Sequence, residues 1–280
     1  MPGGLQPMIR WSRRKETLVK NAKFSLLGLL VGTLMSGAVL AQDGLPDRLI
    51  AGADFDFRPS TIQGPDGTIT GEAPDIVAAL SERIGIPIEF QGMAWDGIIP
   101  SLQTGRIDMI AGMVITPERQ AAVQFTDPLN QGTVVMVVSK DWEGELPTAA
   151  TLANYRIGGQ VNSYSSTVIA EVAPDADTTL FTSVIDAYNE LLLGRVDVVV
   201  IESASGSYIA MTAFPDQLMM LDEQVGEGGS LSGFAIRQGE PELLELLNTA
   251  FDEMRADGTL AEIRQRWYGT SADVITEIQE

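Results

Sequence analysis

The residues best placed to do chemistry lie in one stretch, Ala111-Gly112-Met113-Val114-Ile115-Thr116-Pro117-Glu118-Arg119. Thr116 is a natural helix N-cap, and Pro117 fits the first helical position, where a missing N–H costs nothing. The apolar run Ile107-Asp108-Met109-Ile110 ahead of it reads as a strand that closes on a Gly turn at Gly112. A strand end feeding a helix start leaves backbone N–H groups without partners. Arg119, one turn into the helix, adds a planar fork of donors. Such an arrangement suits a carboxylate. An ordinary strand–helix junction with a surface arginine reads the same way, so the rest of the chain must decide between them.

Composition removes several chemistries. The 280 residues contain no Cys, which excludes disulfides, thiolate metal sites, a cysteine nucleophile and a lipid-modified cysteine. They contain no His either, so a Ser-His-Asp triad cannot be built, and the commonest metal ligand is absent. Acidic residues outnumber basic ones 38 to 18. That balance argues against nucleic acid and anionic membrane surfaces as partners.

The N-terminus reads as an export signal. Six basic residues between Arg10 and Lys23 precede an apolar run from Phe24 to Leu40, and small residues follow up to Ala41. Residues 1–41 are therefore expected to be removed, with cleavage after Ala41.

Beyond the signal, strand-like and helix-like runs alternate, which points to an α/β fold with largely parallel strands. Leu49–Ala53 reads as a buried strand ending at Asp54, and residues 58–67, with Pro-Asp-Gly at the tip, as a hairpin-like loop. Glu72–Ile84 is a one-sided helix ended by Gly85. A strand at Ile86–Phe90, a short helix at Trp95–Gln103 and the opening motif complete this unit. After an apolar strand at Val134–Ser139 and a polar stretch the pattern restarts. Strands are expected at Tyr155–Gly159, Thr178–Phe181 and Val196–Ile201, with helices at Ser165–Val172 and Ser183–Leu193 between them. A strand at Gly233–Arg237 and helices at Pro241–Ala256 and Thr259–Tyr268 end the chain.

Both halves run strand–helix–strand–helix–strand. Residues 132–230 read as a second lobe inserted into a first made of 44–131 and 231–280, so two crossover segments join them. Clefts outside the carboxyl ends of such strands are where ligands bind. Asp54, Gly112, Gln160 and Glu202 all stand at strand ends.

Several motifs, in order, resemble one family, the bacterial periplasmic solute-binding proteins of the polar-amino-acid uptake type (family 3). They are the run Trp95 to Arg106, then Asp108 to Arg119, then Phe125-Thr126-Asp127-Pro128, and the ending Ala256 to Leu260 with Trp267-Tyr268-Gly269. The resemblance covers about Leu49 to Gly269. It implies a type II periplasmic-binding-protein fold, two α/β lobes closing on a free amino acid that is then passed to an ABC permease in the inner membrane. It implies a monomer without cofactor or metal. By position, Arg119 would grip the ligand carboxylate with backbone N–H groups around Ala111, Gly112 and Val114. Glu202 stands where the family has an Asp that accepts the ammonium. Phe57 and Trp95 would sandwich the side chain, with Asp54 at its far end. The loop of Gln160, Ser163, Tyr164 and Ser165 would reach the carboxylate from the second lobe. With Asp54 and Asp56 nearby, a polar or cationic side chain is expected.

The chain departs from the family in places. Val114 replaces a common hydroxyl residue, Asn162 a common Gly, and Tyr164 a small residue. Two other functions share this scaffold. Periplasmic cyclohexadienyl or arogenate dehydratases resemble it, but they carry a Gly-Gly-Thr loop and a crossover Lys. The matching stretches here read Gln160-Val161-Asn162-Ser163-Tyr164 and Gln131-Gly132-Thr133. A sensory module for a membrane receptor is the other.

Overall fold

The computed structural model describes residues 45–269. The expected export signal lies outside them.

The chain opens with strand β1 (Leu49–Asp54). Two short strands, β2 (Ile62–Gln63) and β3 (Ile69–Thr70), form the hairpin around the Pro-Asp-Gly tip. Helix α1 (Glu72–Ile84) follows, with Glu72 and Asp75 in its first turn, where the helix dipole favours acids. Its Ala73, Ile76, Val77 and Leu80 are buried on one face, and left-handed Gly85 ends it by donating to Ser81 O. Strand β4 (Ile88–Met93) starts two residues later than expected. Pro87 has no N–H to give, and its carbonyl accepts from Leu49 N at 2.9 Å. A 3₁₀ turn at Trp95–Gly97 leads into α2 (Ile98–Gln103), strand β5 (Met109–Val114), helix α3 (Pro117–Ala122) and the short strands β6 (Gln124–Phe125) and β7 (Asn130–Gly132).

The second half starts with β8 (Val134–Ser139). It continues through β9 (Ile157–Gln160), α4 (Tyr164–Val172), β10 (Thr178–Phe181), α5 (Val184–Leu192) and β11 (Val198–Glu202). Helix α6 (Ser203–Tyr208), a π turn and strand β12 (Leu218–Gln224) complete it. The chain then returns through β13 (Ser230–Ile236) to α7 (Pro241–Ala256) and α8 (Thr259–Tyr268), both with the bounds read from the sequence.

Two sheets result. The first has the order β4-β1-β5-β13-β6, with β7 pairing to β13; the second has the order β10-β9-β11-β8-β12. Each holds three parallel strands. Against them lies one reversed strand in each sheet, β13 in the first and β8 in the second; β12 pairs antiparallel with β8 and so runs with the parallel set. The strands of each sheet thus run largely the same way, as expected, with one reversed strand making each sheet mixed. The reversed strand is in each case the first one after a crossing, β8 in the second sheet and β13 in the first. The crossings also pair with each other, Ser230 opposite Gly132 and Ser232 opposite Asn130.

Period-two alternation gives each sheet two buried faces. In the first, Leu49, Ala51, Ala53 and Met109 face α1, α7 and α8, while Ile110 and Met113 face α2. In the second, Val134, Met136 and Val200 face α4, and Val135, Val137 and Val199 face α5. Burying each such side chain stabilises the fold by roughly 1.5–3 kcal/mol. The carboxyl ends of the parallel strands stay free of this packing.

Candidate functional site

Strand β5 does not stop at a Gly turn as its sequence suggested. It continues to Val114, with Gly112 at φ +98°. Between the pairs Ile110–Ala235 and Met113–Gly233, Ala111 and Gly112 face Phe234 alone. This is a bulge, which bends the strand end. A Cβ on Gly112 would meet no atom within 4 Å, so the backbone angle, not crowding, calls for glycine.

The bulge delivers the chain to α3. Thr116 caps it as expected, its Oγ1 accepting from Arg119 N at 3.2 Å, with Pro117 in the first turn. The Arg119 side chain then folds back. Its Nη1 donates to Val114 O (2.9 Å), its Nη2 to Asn162 O (3.0 Å), and the guanidinium lies 5.6 Å from the Trp95 ring centroid. Asn162 belongs to the second half, so Arg119 reaches across.

From that half, β11 ends on Glu202. Its carboxylate accepts from Ser165 N (3.3 Å) and, more weakly, from Ser165 Oγ (3.5 Å). Burial pushes the Glu202 carboxyl up, against backbone N–H groups and the charge of Arg119. Burial pulls the Arg119 guanidinium down, against the charges of Glu202 and Glu118. The two side chains line one cavity of about 170 Å³. Each favours the other's charged form, yet both retain bonding capacity for a third party.

Among the described residues, three side-chain hydrogen bonds cross the cleft. Besides the Arg119 bond, Trp95 Nε1 donates to Asn162 O (3.1 Å), and Gln160 Nε2 donates to Asp54 Oδ2. Asn162 sits at φ +58°, a left-handed angle that asparagine tolerates and that other side chains resist. This accounts for Asn where glycine is common in the family. Asp54 also accepts from Asp56 N at 3.0 Å, so both its oxygens are engaged, and burial pushes its carboxyl up.

The cavity is lined by Asp54, Phe57, Trp95, Ala111, Gly112 and Val114, and further by Arg119, Gln160, Ser163, Tyr164 and Glu202. Trp95 packs on the first sheet's side and Phe57 against the second sheet's cluster. Ser165 is not part of the lining; it holds Glu202 in place. Ser163 lines the cavity, but its hydroxyl caps α4, accepting from Ser166 N (3.0 Å) and donating to Gln160 O (2.7 Å). Asp56, expected near the aromatic pair, is occupied locally. Arg58 engages both its oxygens (2.9 and 3.1 Å), and it does not line the cavity.

Sequence reasoning missed three residues at the inner end of this cavity, Glu72, Arg264 and Tyr268. They are 6, 5 and 8% exposed. Tyr268 Oη donates to Glu72 Oε2 (2.9 Å), Arg264 Nε lies 3.6 Å from Glu72 Oε1, and Arg264 Nη2 donates to Leu129 O (2.9 Å). A signal existed. Glu72 lies four residues before Ile76 on the apolar face of α1, and Arg264 lies beside Leu260 and Ile263 on that of α8. Opposite charges on two buried stripes invite pairing. Among the described residues, no cluster of acids is arranged to hold a metal ion.

Two α/β halves joined by paired crossings, with opposite charges converging on a cavity between them, define a solute-binding architecture. The chain belongs to the bacterial extracellular solute-binding proteins, family 3, whose model matches residues 49–270. It is 26% identical over 260 residues to the L-cystine-binding protein TcyJ of Escherichia coli (strain K12), covering 89% of this chain and 96% of that one. It is 30% identical over 247 residues to the ABC transporter arginine-binding protein 1 of the same strain, covering 87% and 98%. Among solved structures, an ancestral arginine-binding protein bound to arginine matches with a TM-score of 0.74 and 32% identity. That match covers 80% of this chain and 99% of the other.

Proposed function

We propose that this protein is the capture component of an ABC importer. It takes a free amino acid into the cleft, closes over it, and presents it to a permease in the inner membrane. The observation that carries this reading is the convergence of Arg119 and Glu202, one from each half, on a single cavity. A zwitterion needs a fork of donors and a carboxylate held apart. Charge-assisted bonds in an enclosed site are roughly twice as strong as neutral ones. With donor and acceptor on different halves, the ligand becomes the bridge that favours closure. The paired crossings around Asn130–Gly132 and Ser230–Ser232 are the natural hinge, with the lobes on either side at 44–131 with 231–280 and at 132–230.

The relatives' names support transport and an amino-acid ligand. They also favour a periplasmic location, reached through the N-terminal signal. We read the protein as a binder rather than an enzyme, acting as a monomer. Of the described residues the sole lysine, Lys140, donates to Pro215 O and does not line the cavity. A dehydratase-like general acid of that type is therefore missing from the cleft.

A thermal-shift screen of the full chain against the twenty amino acids, ornithine and citrulline tests this. At least one should raise the unfolding temperature in a concentration-dependent way. Flat curves throughout would remove the amino-acid reading, and measurable turnover of prephenate or arogenate would replace it with the enzymatic one.

A further inference from the structure

Of the three side-chain bonds between the halves, two end on Asn162 O, and one of these starts from Arg119, the proposed carboxylate anchor. The third stands apart, joining Gln160 at the end of β9 to Asp54 at the end of β1. These two side chains are 1 and 3% exposed. A buried amide and a buried carboxylate meet across the boundary that parts when a ligand enters.

Each partner is set in place by its own half. The Gln160 side-chain nitrogen has two hydrogens and donates to two oxygens, Asp54 Oδ2 and Thr182 O (3.2 Å for the latter). Thr182 belongs to the same half as Gln160, so its carbonyl fixes which way the amide faces. The other Asp54 oxygen, Oδ1, accepts from Asp56 N (3.0 Å), which holds the carboxylate from within the first half. Gln160 is left with one donor to offer and Asp54 with one oxygen, and each satisfies the other. Both residues line the cavity. Yet the Gln160 nitrogen keeps no hydrogen for a ligand, and both Asp54 oxygens already have a donor. A hydrogen bond to a charged group is stronger than one between neutral groups, and parting the halves breaks this one.

We infer that Asp54 and Gln160 are positioning residues, a latch that holds the two halves together around the site instead of gripping the ligand's side chain. This rests on the capture reading above and adds what sets its closing equilibrium. A latch and a ligand contact differ measurably. Apparent affinity scales with the fraction of the protein in the binding-competent form. Loosening a latch therefore weakens every ligand by one factor, whereas losing a contact changes the choice among ligands.

The chain has no Cys, so one cysteine introduced at an exposed position in each half carries a dye pair without competing sites. Energy transfer between the dyes reads the closed fraction without ligand, and calorimetry with arginine, histidine and cystine reads affinity. The unaltered protein should spend a measurable share of its time closed. Gln160→Leu should lower that share about tenfold and Asp54→Asn severalfold. Each should weaken every one of the three ligands that binds by the factor its closed share loses, within about threefold. Asp54→Asn/Gln160→Leu should cost no more than Gln160→Leu alone, because no charge is then buried without its partner. Losses that multiply in the double variant overturn the inference. So does a closed share that neither single variant lowers, or one too small to detect in the unaltered protein. A loss that weakens one bound ligand and spares another overturns it too, since that marks a ligand contact. If Gln160→Leu fails to fold, Gln160→Met with Asp54→Asn carries the same test. Should no amino acid bind in the thermal-shift screen, the capture reading falls, while the latch is still judged by the closed share.

Discussion

The two halves use the same sheet plan and hold their functional charges differently. In each, three parallel strands end at the cleft beside an antiparallel neighbour. The second half fixes Glu202 from within, through Ser165 on its own α4. The first half fixes Arg119 only partly from within, through Val114 O and the Trp95 ring; the remaining bond goes to Asn162 O in the other half. The acid therefore keeps its place whether or not the halves meet. The guanidinium is fully held only when they do. An anchor completed by closure couples the capture of a carboxylate to the motion that encloses it.

The sharpest way to break this comparison is to remove each charge in turn. Arg119→Ala should abolish binding, on the order of 3–5 kcal/mol, because the ligand carboxylate and Glu202 both lose a buried partner. Its unfolding temperature without ligand should change little, since the anchor contributes to closure more than to either core. Glu202→Gln keeps the shape and the Ser165 contact and should cost less, roughly tenfold to a hundredfold in affinity. If Glu202→Gln proved the more damaging, the halves would have to exchange roles. Calorimetry on both variants decides it.

Acid is a milder lever. The Glu202 carboxyl is raised by burial, so its ionised form is lost at a higher pH than the usual 4.5. Affinity for an ammonium-bearing ligand should be full near neutrality and fall as pH drops through that raised value. Without ligand the sign reverses. Raised carboxyls at Glu202 and Asp54 stabilise the fold in acid, and that contribution is lost as pH rises through their folded values. The gap between unfolding temperatures with and without ligand should therefore widen from pH 4.5 to pH 7.5, and a constant gap would count against Glu202 as the ammonium's partner.

The smallest effect sharpens the part played by Asn162. Asn162→Gly keeps the left-handed angle and the carbonyl that Arg119 and Trp95 share, so stability and affinity should hold within about 0.5 kcal/mol. Asn162→Val must strain that angle, and should lose about 1–2 kcal/mol, seen as a lower unfolding temperature and weaker binding together.

Much of this was legible along the chain because the signals are local. The cap and proline of α3, the one-sided α1, and the strands ending at Asp54, Gln160 and Glu202 each depend on a few neighbours. Reading β5 as a turn at Gly112 failed because a bulge against β13 is a property of two strands, and β13 lies over a hundred residues away. Asp56, read along the chain only as an acid near the aromatic pair, is taken up by Arg58 two residues on. The inner cluster stayed hidden because Glu72 and Tyr268 are separated by 196 positions.

The sequence by itself determined the elements, the positions where strands stop, and the chemistry that the absence of Cys and His excludes, because these follow from short-range periodicity and composition. Tertiary structure alone decided which strand ends share a cavity, which carboxylates are already occupied, and that an acid at the start of one helix meets an arginine in the middle of another. Those outcomes depend on distances between segments remote along the chain, which no local pattern encodes.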